Sequence, residues 1–135
     1  MTTTLAPAPA VRSADVLLVG HCGPDSFLLK SVIRRLAPDA QVRFVNDTRT
    51  LNDCLHADAL VLVNRELDGS FIVESGIELI RHLSREISPP RMMLISNFEW
   101  AQKQAQEAGA IAGFGKAAIG TPATTALLAH ALGRE

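Results

Sequence analysis

Apolar residues gather along the chain in five short runs, and each run is followed by a stretch with helical spacing. Val16, Leu17, Leu18 and Val19 form the first run, which Gly20 stops, and they predict a strand. Pro24, Asp25 and Ser26 open a helix in which Leu28, Leu29, Val32, Ile33 and Leu36 share one face, and Pro38 ends it. Residues 41–45 predict the second strand, and Asn46 or Asp47 caps a short helix reaching about His56. Residues 59–63 are apolar throughout, as in strands buried on both faces. A polar stretch, residues 64–75, precedes a helix from Gly76 with Ile77, Ile80 and Leu83 on one side, ending before Pro89 and Pro90. Residues 91–96 predict the fourth strand, and residues 98–108 a helix carrying Ala101, Ala105 and Ala108, with Gly109 beyond its end. Residues 111–114 predict the fifth strand, and Thr121 with Pro122 starts a last helix running to about Leu132.

Five strands alternating with five helices imply an α/β fold, a doubly wound five-stranded parallel sheet, because parallel strands need crossover helices. Functional groups in such sheets gather at the carboxyl ends of the strands. Those ends carry Gly20, His21 and Cys22; Asn64, Arg65 and Glu66; Ser96 and Asn97; Gly115 and Lys116. Residues 1–13, rich in Thr, Ala and Pro, are expected to be a disordered or extended lead-in, leaving 14–135 as one domain.

Composition narrows the function. Apolar residues make up 47%, enough for a core, while a net charge of −1 gives no electrostatic basis for binding nucleic acid or an anionic membrane. No apolar run is long enough to span a bilayer, and the N-terminus lacks the pattern of a signal peptide, so a cytoplasmic protein is expected. Cys22 and Cys54 sit in no metal or disulfide spacing and are expected to be free thiols.

The residues at the strand ends resemble those of the response-regulator receiver (CheY-like) family, over about Asp15 to Leu132. That resemblance implies a flavodoxin-like (β/α)5 fold with strand order 2-1-3-4-5. The family carries an acidic pair after its first strand, a phosphoacceptor Asp after its third, Ser or Thr after its fourth and Lys-Pro after its fifth. Here Gly20 and His21 stand where the acidic pair belongs, and Asn64 stands where the Asp belongs. Ser96 takes the hydroxyl position, Phe114 that of the switch aromatic, and Lys116 that of the lysine. Gly109 and Ala110, with Gly113 to Lys116, resemble the family's Gly-Ala, aromatic and Lys run, and the segment from Ser75 to Arg81 resembles the opening of its third helix.

The departures bear on chemistry. Transfer of a phosphoryl group to the protein needs a carboxylate nucleophile and a divalent cation, and Mg²⁺ takes oxygen ligands. Asn64 cannot form an acyl phosphate, Gly20 offers no ligand, and His21 is a poor partner for Mg²⁺. Lys116 is left to pair with Asp25, Asp68 or Glu66. Ala117 replaces the family's Pro, so a trans bond is expected there. Twelve positions separate Asn64 from Gly76, several more than in the family. With Phe71, Ile72 and Val73 on it, that segment is expected to be a lid over the vacated pocket, a partner surface, or a local core patch.

Other signals carry less. Gly20 to Gly23 lacks the spacing of a dinucleotide loop, and Gly115-Lys116 follows the wrong strand for a phosphate loop. Cys54 and His56 should lie at the far edge of the sheet from His21 and Cys22, against a shared metal. His82 and His130 fall on helices, where surface or boundary positions are expected. The leading expectation is a stand-alone, non-enzymatic, non-phosphorylatable signalling protein that acts through a protein partner or as a homodimer. It would have no cofactor, metal, nucleic-acid or membrane partner. The family resemblance puts the candidate surface at Trp100, Phe114, Ala126 and Ala129, the last two on a helix with more apolar area than one buried stripe uses. The alternatives are a small-molecule sensor using a pocket near His21, Asn64, Ser96 and Lys116, and a phosphoreceiver using a displaced Asp such as Asp68.

Overall fold

A computed structural model describes residues 14–134. The lead-in expected over residues 1–13 lies outside the described residues. The strands are β1 (Asp15–Val19), β2 (Gln41–Val45), β3 (Leu60–Asn64), β4 (Arg91–Ile95) and β5 (Ile111–Phe114). The helices are α1 (Gly23–Leu36), α2 (Thr48–Cys54), α3 (Gly76–Leu83), α4 (Glu99–Ala108) and α5 (Pro122–Ala131), with a 3-10 turn at Lys116–Ala118. All strand pairs are parallel, as the alternation implied, and the order is β2-β1-β3-β4-β5, as the family resemblance implied.

Alternation along the strands builds two cores. Leu17, Val19, Val61, Val63, Met92 and Leu94 face the layer of α2, α3 and α4. Val16, Leu18, Leu60, Leu62, Met93 and Ile95 face the layer of α1 and α5. Leu28, expected on the buried face of α1, is 44% exposed. The buried stripe is set by Ser26, Leu29, Val32 and Ile33, and Leu28 falls on its flank. Phe114, expected on a docking surface, is a correction of the same kind. It is 6% exposed and belongs to the core between the sheet and α5.

The edge of the sheet is irregular between β4 and β5, where the register shifts between Met93 and Ile95. Gln102 of α4 fills that irregularity. Its Nε2 lies within hydrogen-bonding distance of the carbonyls of Leu94 (2.8 Å), Ser96 (3.1 Å) and Phe114 (3.3 Å), which share its two hydrogens. A side-chain amide thus reaches backbone acceptors at the shifted ladder, of which Phe114 O also accepts from Ser96 N at 2.9 Å, while Gln102 Oε1 is buried without a partner. Gln102→Leu keeps the volume but removes the donors, and stability should fall by about 2 kcal/mol in denaturant titration. A loss under about 0.5 kcal/mol would show that water satisfies those carbonyls.

Candidate functional site

Asn64 ends β3 at the carboxyl edge of the sheet, and its side chain is committed to the backbone around it. Its Nδ2 donates to the carbonyls of Gly20 (3.0 Å) and Glu66 (2.7 Å). The Gly20 carbonyl also accepts from the Asp68 amide at 2.9 Å. Asn46, after β2, repeats the device, donating from Nδ2 to the carbonyls of His21 (3.2 Å) and Asp68 (2.9 Å). Ser70 N then donates to Asn46 O (2.8 Å), Thr48 N to Ser70 O (3.1 Å) and Ile72 N to Thr48 Oγ1 (3.0 Å). Residues 64–75 therefore run from the end of β3, over β1, to the end of β2, and return so that Gly76 N reaches Arg65 O at 2.8 Å.

The route needs two glycines. Gly69 has φ +119°, and a side chain there would strike the Asn46 carbonyl. Gly20 has φ +76°, and a side-chain carbon on it would fall 2.6 Å from Leu67 Cδ2. Leu67, Phe71 and Val73 pack half-buried against the core, while Ile72 is 85% exposed. The segment packs as a local core patch over the ends of β1 and β2 and leaves open the hollow among Asn64, Ser96 and Lys116 that a lid was expected to cover.

His21 is placed differently from the expected pocket wall. It is 2% exposed, and its Nε2–H donates to the Leu62 carbonyl at 3.0 Å, leaving Nδ1 buried without a partner. Burial, ahead of every other influence, lowers its pKa from 6.5 to about 4, with the Leu62 bond opposing and the nearby Lys116 charge assisting. Lys116 itself pairs with Asp25 at 2.5 Å, one of the three partners expected. That bond is the main reason the Asp25 carboxyl is held below its usual pKa. The described residues contain no cis peptide bond, as the Lys116–Ala117 sequence implied.

Ser96 is 8% exposed, and its Oγ accepts from Phe98 N (3.2 Å) at the start of α4. Asn97 Oδ1 accepts from Ala117 N at 3.0 Å, fastening the turn that carries Lys116. Asn64, Arg65, Ser96, Asn97, Phe98 and Lys116 enclose a hollow of about 180 Å³. Beside it lies a feature the sequence reading missed. Phe98 and Trp100 stack at 5.9 Å, with the Arg65 guanidinium 5.0 Å from one ring and 5.7 Å from the other. Both rings are about half exposed. Only the three residues' positions at adjacent strand ends could have signalled that contact.

Ala126 is exposed on α5, whereas Ala129, expected to be exposed, is half-buried. His56 is at the opposite end of the sheet from His21, bonded to Asp15 at 2.7 Å, so the two histidines cannot share an ion. Among the described residues, no three His, Cys, Asp or Glu side chains are arranged to hold a metal.

The comparisons agree with the topology. No family model matches this sequence, and no curated protein matches it. Solved structures do. The signal receiver domain of a DNA-binding response regulator (merR) from Colwellia psychrerythraea 34H superposes with a TM-score of 0.66 at 14% identity, covering 85% of this chain and 95% of that one. The chain has the receiver fold. A response regulator from Colwellia psychrerythraea gives 0.64 at 21% identity over 92% of this chain and 100% of its own. A Burkholderia pseudomallei response regulator with a phosphorylated aspartic acid, calcium ion and citrate gives 0.58 at 20% identity, over 90% of this chain and 66% of its own.

His21 makes the receiver fold's stability depend on pH. Its folded pKa lies below the unfolded value, so its contribution is complete above pH 6.5 and is lost as pH falls to about 4. The loss amounts to roughly 3 kcal/mol. Denaturant titrations from pH 7 to 4 should show that slope, and a His21→Phe variant should show a shallower one. Equal slopes would place the acid sensitivity elsewhere.

Proposed function

We propose that this receiver-fold protein is a non-phosphorylatable signalling module that acts through protein–protein interaction in two-component-type regulation, in the cytoplasm, and is not an enzyme. The observation that carries this reading is the Asn64 carboxamide donating to Gly20 O and Glu66 O. At the position where the family's nucleophile belongs, this chain has a backbone tie. Gly20, at the acidic pair's first position, has Leu67 in the space a side chain would need. His21, at the second, is turned beneath the surface to Leu62. The family's hydroxyl and lysine positions keep Ser96 and Lys116, but both are engaged within the chain. What remains for signalling is surface: Trp100 with Phe98 and Arg65, and the flank of α5 at Ala126.

The alternatives have less support. A hollow of about 180 Å³ is below the roughly 300–1,000 Å³ of sites for organic ligands. A displaced acceptor at Asp68 needs two more carboxylates around one ion, and the described residues supply no such group.

Incubation with acetyl phosphate and Mg²⁺ should leave the mass unchanged, and capture of a protein partner should be indifferent to both reagents. Asn64→Asp should also remain unmodified. It should lose about 2 kcal/mol of stability, because a carboxylate cannot donate to the two carbonyls. An acid-labile gain of one phosphoryl group by the unaltered chain would overturn the proposal.

A further inference from the structure

The net charge of −1 conceals an uneven distribution. On one side of the sheet α2, α3 and α4 each carry both signs: Arg49 with Asp53, Glu78 with Arg81, and Glu99 and Glu107 with Lys103. On the other side α5 has no Asp, Glu, Lys or Arg. There α1 has Lys30, Arg34 and Arg35 against a single carboxylate, Asp25, which Lys116 holds at 2.5 Å. The next acid along the chain, Asp39, is paired with Arg134 at 2.7 Å. Among the described residues, Lys30, Arg34 and Arg35 have no ion pair. The whole-chain charge gives no basis for binding an anionic surface, but its separation onto one layer does.

The same face is apolar in the first turns of α1. Phe27 is 65% exposed, Phe44 of β2 is 40% exposed, and Leu28 lies beside them on the helix. Around α1, Phe27, Ser31 and Arg34 form the outward crest, Lys30 falls on the flank toward β2, and Leu28 and Arg35 fall on the other flank. Phe27 and Phe44 meet edge to face at 5.7 Å, and Lys30 Nζ lies 5.6 Å from the centre of the Phe44 ring. Apolar and positive groups therefore make one surface. The core takes Leu29, Val32 and Ile33 from the inner face of α1, so packing against the sheet does not use these outward side chains.

Shape decides which anionic partner fits. The crest of a helix is convex, and a folded partner must supply a matching hollow for it. A nucleic-acid strand offers phosphates to the cations but nothing to Leu28. A bilayer interface accepts convex apolar side chains without a preformed shape, and its anionic head groups meet the cations beside them. We infer that the outward face of α1, with Phe44, docks the protein on an anionic lipid surface. Phe27, Leu28 and Phe44 enter the boundary between head groups and acyl chains, and Lys30, Arg34 and Arg35 lie among the head groups. Among the described residues no helix is long and apolar enough to cross a membrane, so the contact is with its surface. Such docking is independent of whether the chain signals through a protein partner.

The test uses the whole chain with vesicles of phosphatidylcholine alone and of phosphatidylcholine mixed with phosphatidylglycerol. The chain should sediment with the mixed vesicles at least about tenfold more strongly than with the neutral ones, and high salt should weaken it. Phe27→Ser and the double variant Arg34→Glu, Arg35→Glu should each weaken binding at least about tenfold while amide spectra remain those of a folded chain. Trp100, the only tryptophan, lies in the other helical layer and reports the orientation. Mixed vesicles should leave its emission unchanged in the unaltered chain, whereas Phe27→Trp should add a blue-shifted component. Equal sedimentation with both vesicle types, none with either, or binding that ignores both variants would overturn the inference. So would a blue shift of Trp100 in the unaltered chain. A glutamate-rich peptide or a single-stranded oligonucleotide that shifts the α1 amides where mixed vesicles do not would overturn it as well.

Discussion

Two carboxamides, Asn64 and Asn46, hold the top of this molecule together. Each donates to two backbone carbonyls on neighbouring strand ends or the segment between them. Residues 64–75 lie across the sheet with the carbonyls of Gly20 and His21, after β1, and of Glu66 and Asp68, within the segment, bonded to these two amides. Leu67 then has a fixed place over Gly20, and Gly69 can press against the Asn46 carbonyl. Without the two amides, the Glu66 and Asp68 carbonyls would lose these donors, while Gly20 O would keep the Asp68 amide.

The electrostatics of the site are closed in the same way. Lys116 is neutralised by Asp25, and His21 is kept neutral by burial. Ser96 serves the first turn of α4 and Asn97 serves the turn after β5. Groups that could have converged on a ligand instead tie loops to one another. The exposed chemistry has moved outward, to the Arg65, Phe98 and Trp100 cluster and to the grooves beside β5. The receiver fold here has residues 64–75 over the ends of β1 and β2 and a small hollow among Asn64, Ser96 and Lys116.

Much of this was legible in the chain. The strands were readable because a strand buried on both faces is a continuous apolar run, as Leu60 to Val63 shows. That Asn64 ends the third strand could be read from the sequence directly, and the unusual length of the next segment was a matter of counting. Its route was not readable, since it depends on side-chain amides meeting carbonyls on other strands. Leu28 and Phe114 were assigned to the wrong environments for a related reason: the spacing of apolar residues fixes a helical stripe only to within a position, and the depth of an aromatic at a strand end is decided by the helix above it. The groove beside α5 was invisible because it arises from small residues, Ala112, Ala123 and Ala126, whose effect depends on what fails to fill the space.

The central claim is that residues 64–75, tied across the ends of β1 and β2, leave no cation site at Gly20, Asn64 and Asp68. Titration of the ¹⁵N-labelled protein with Mg²⁺ to millimolar concentration tests it most directly, through the amides of Gly20, Asn64 and Asp68. The account predicts no saturable shift at those three positions. A saturable shift centred on them would mean that oxygen ligands converge there, and would contradict it.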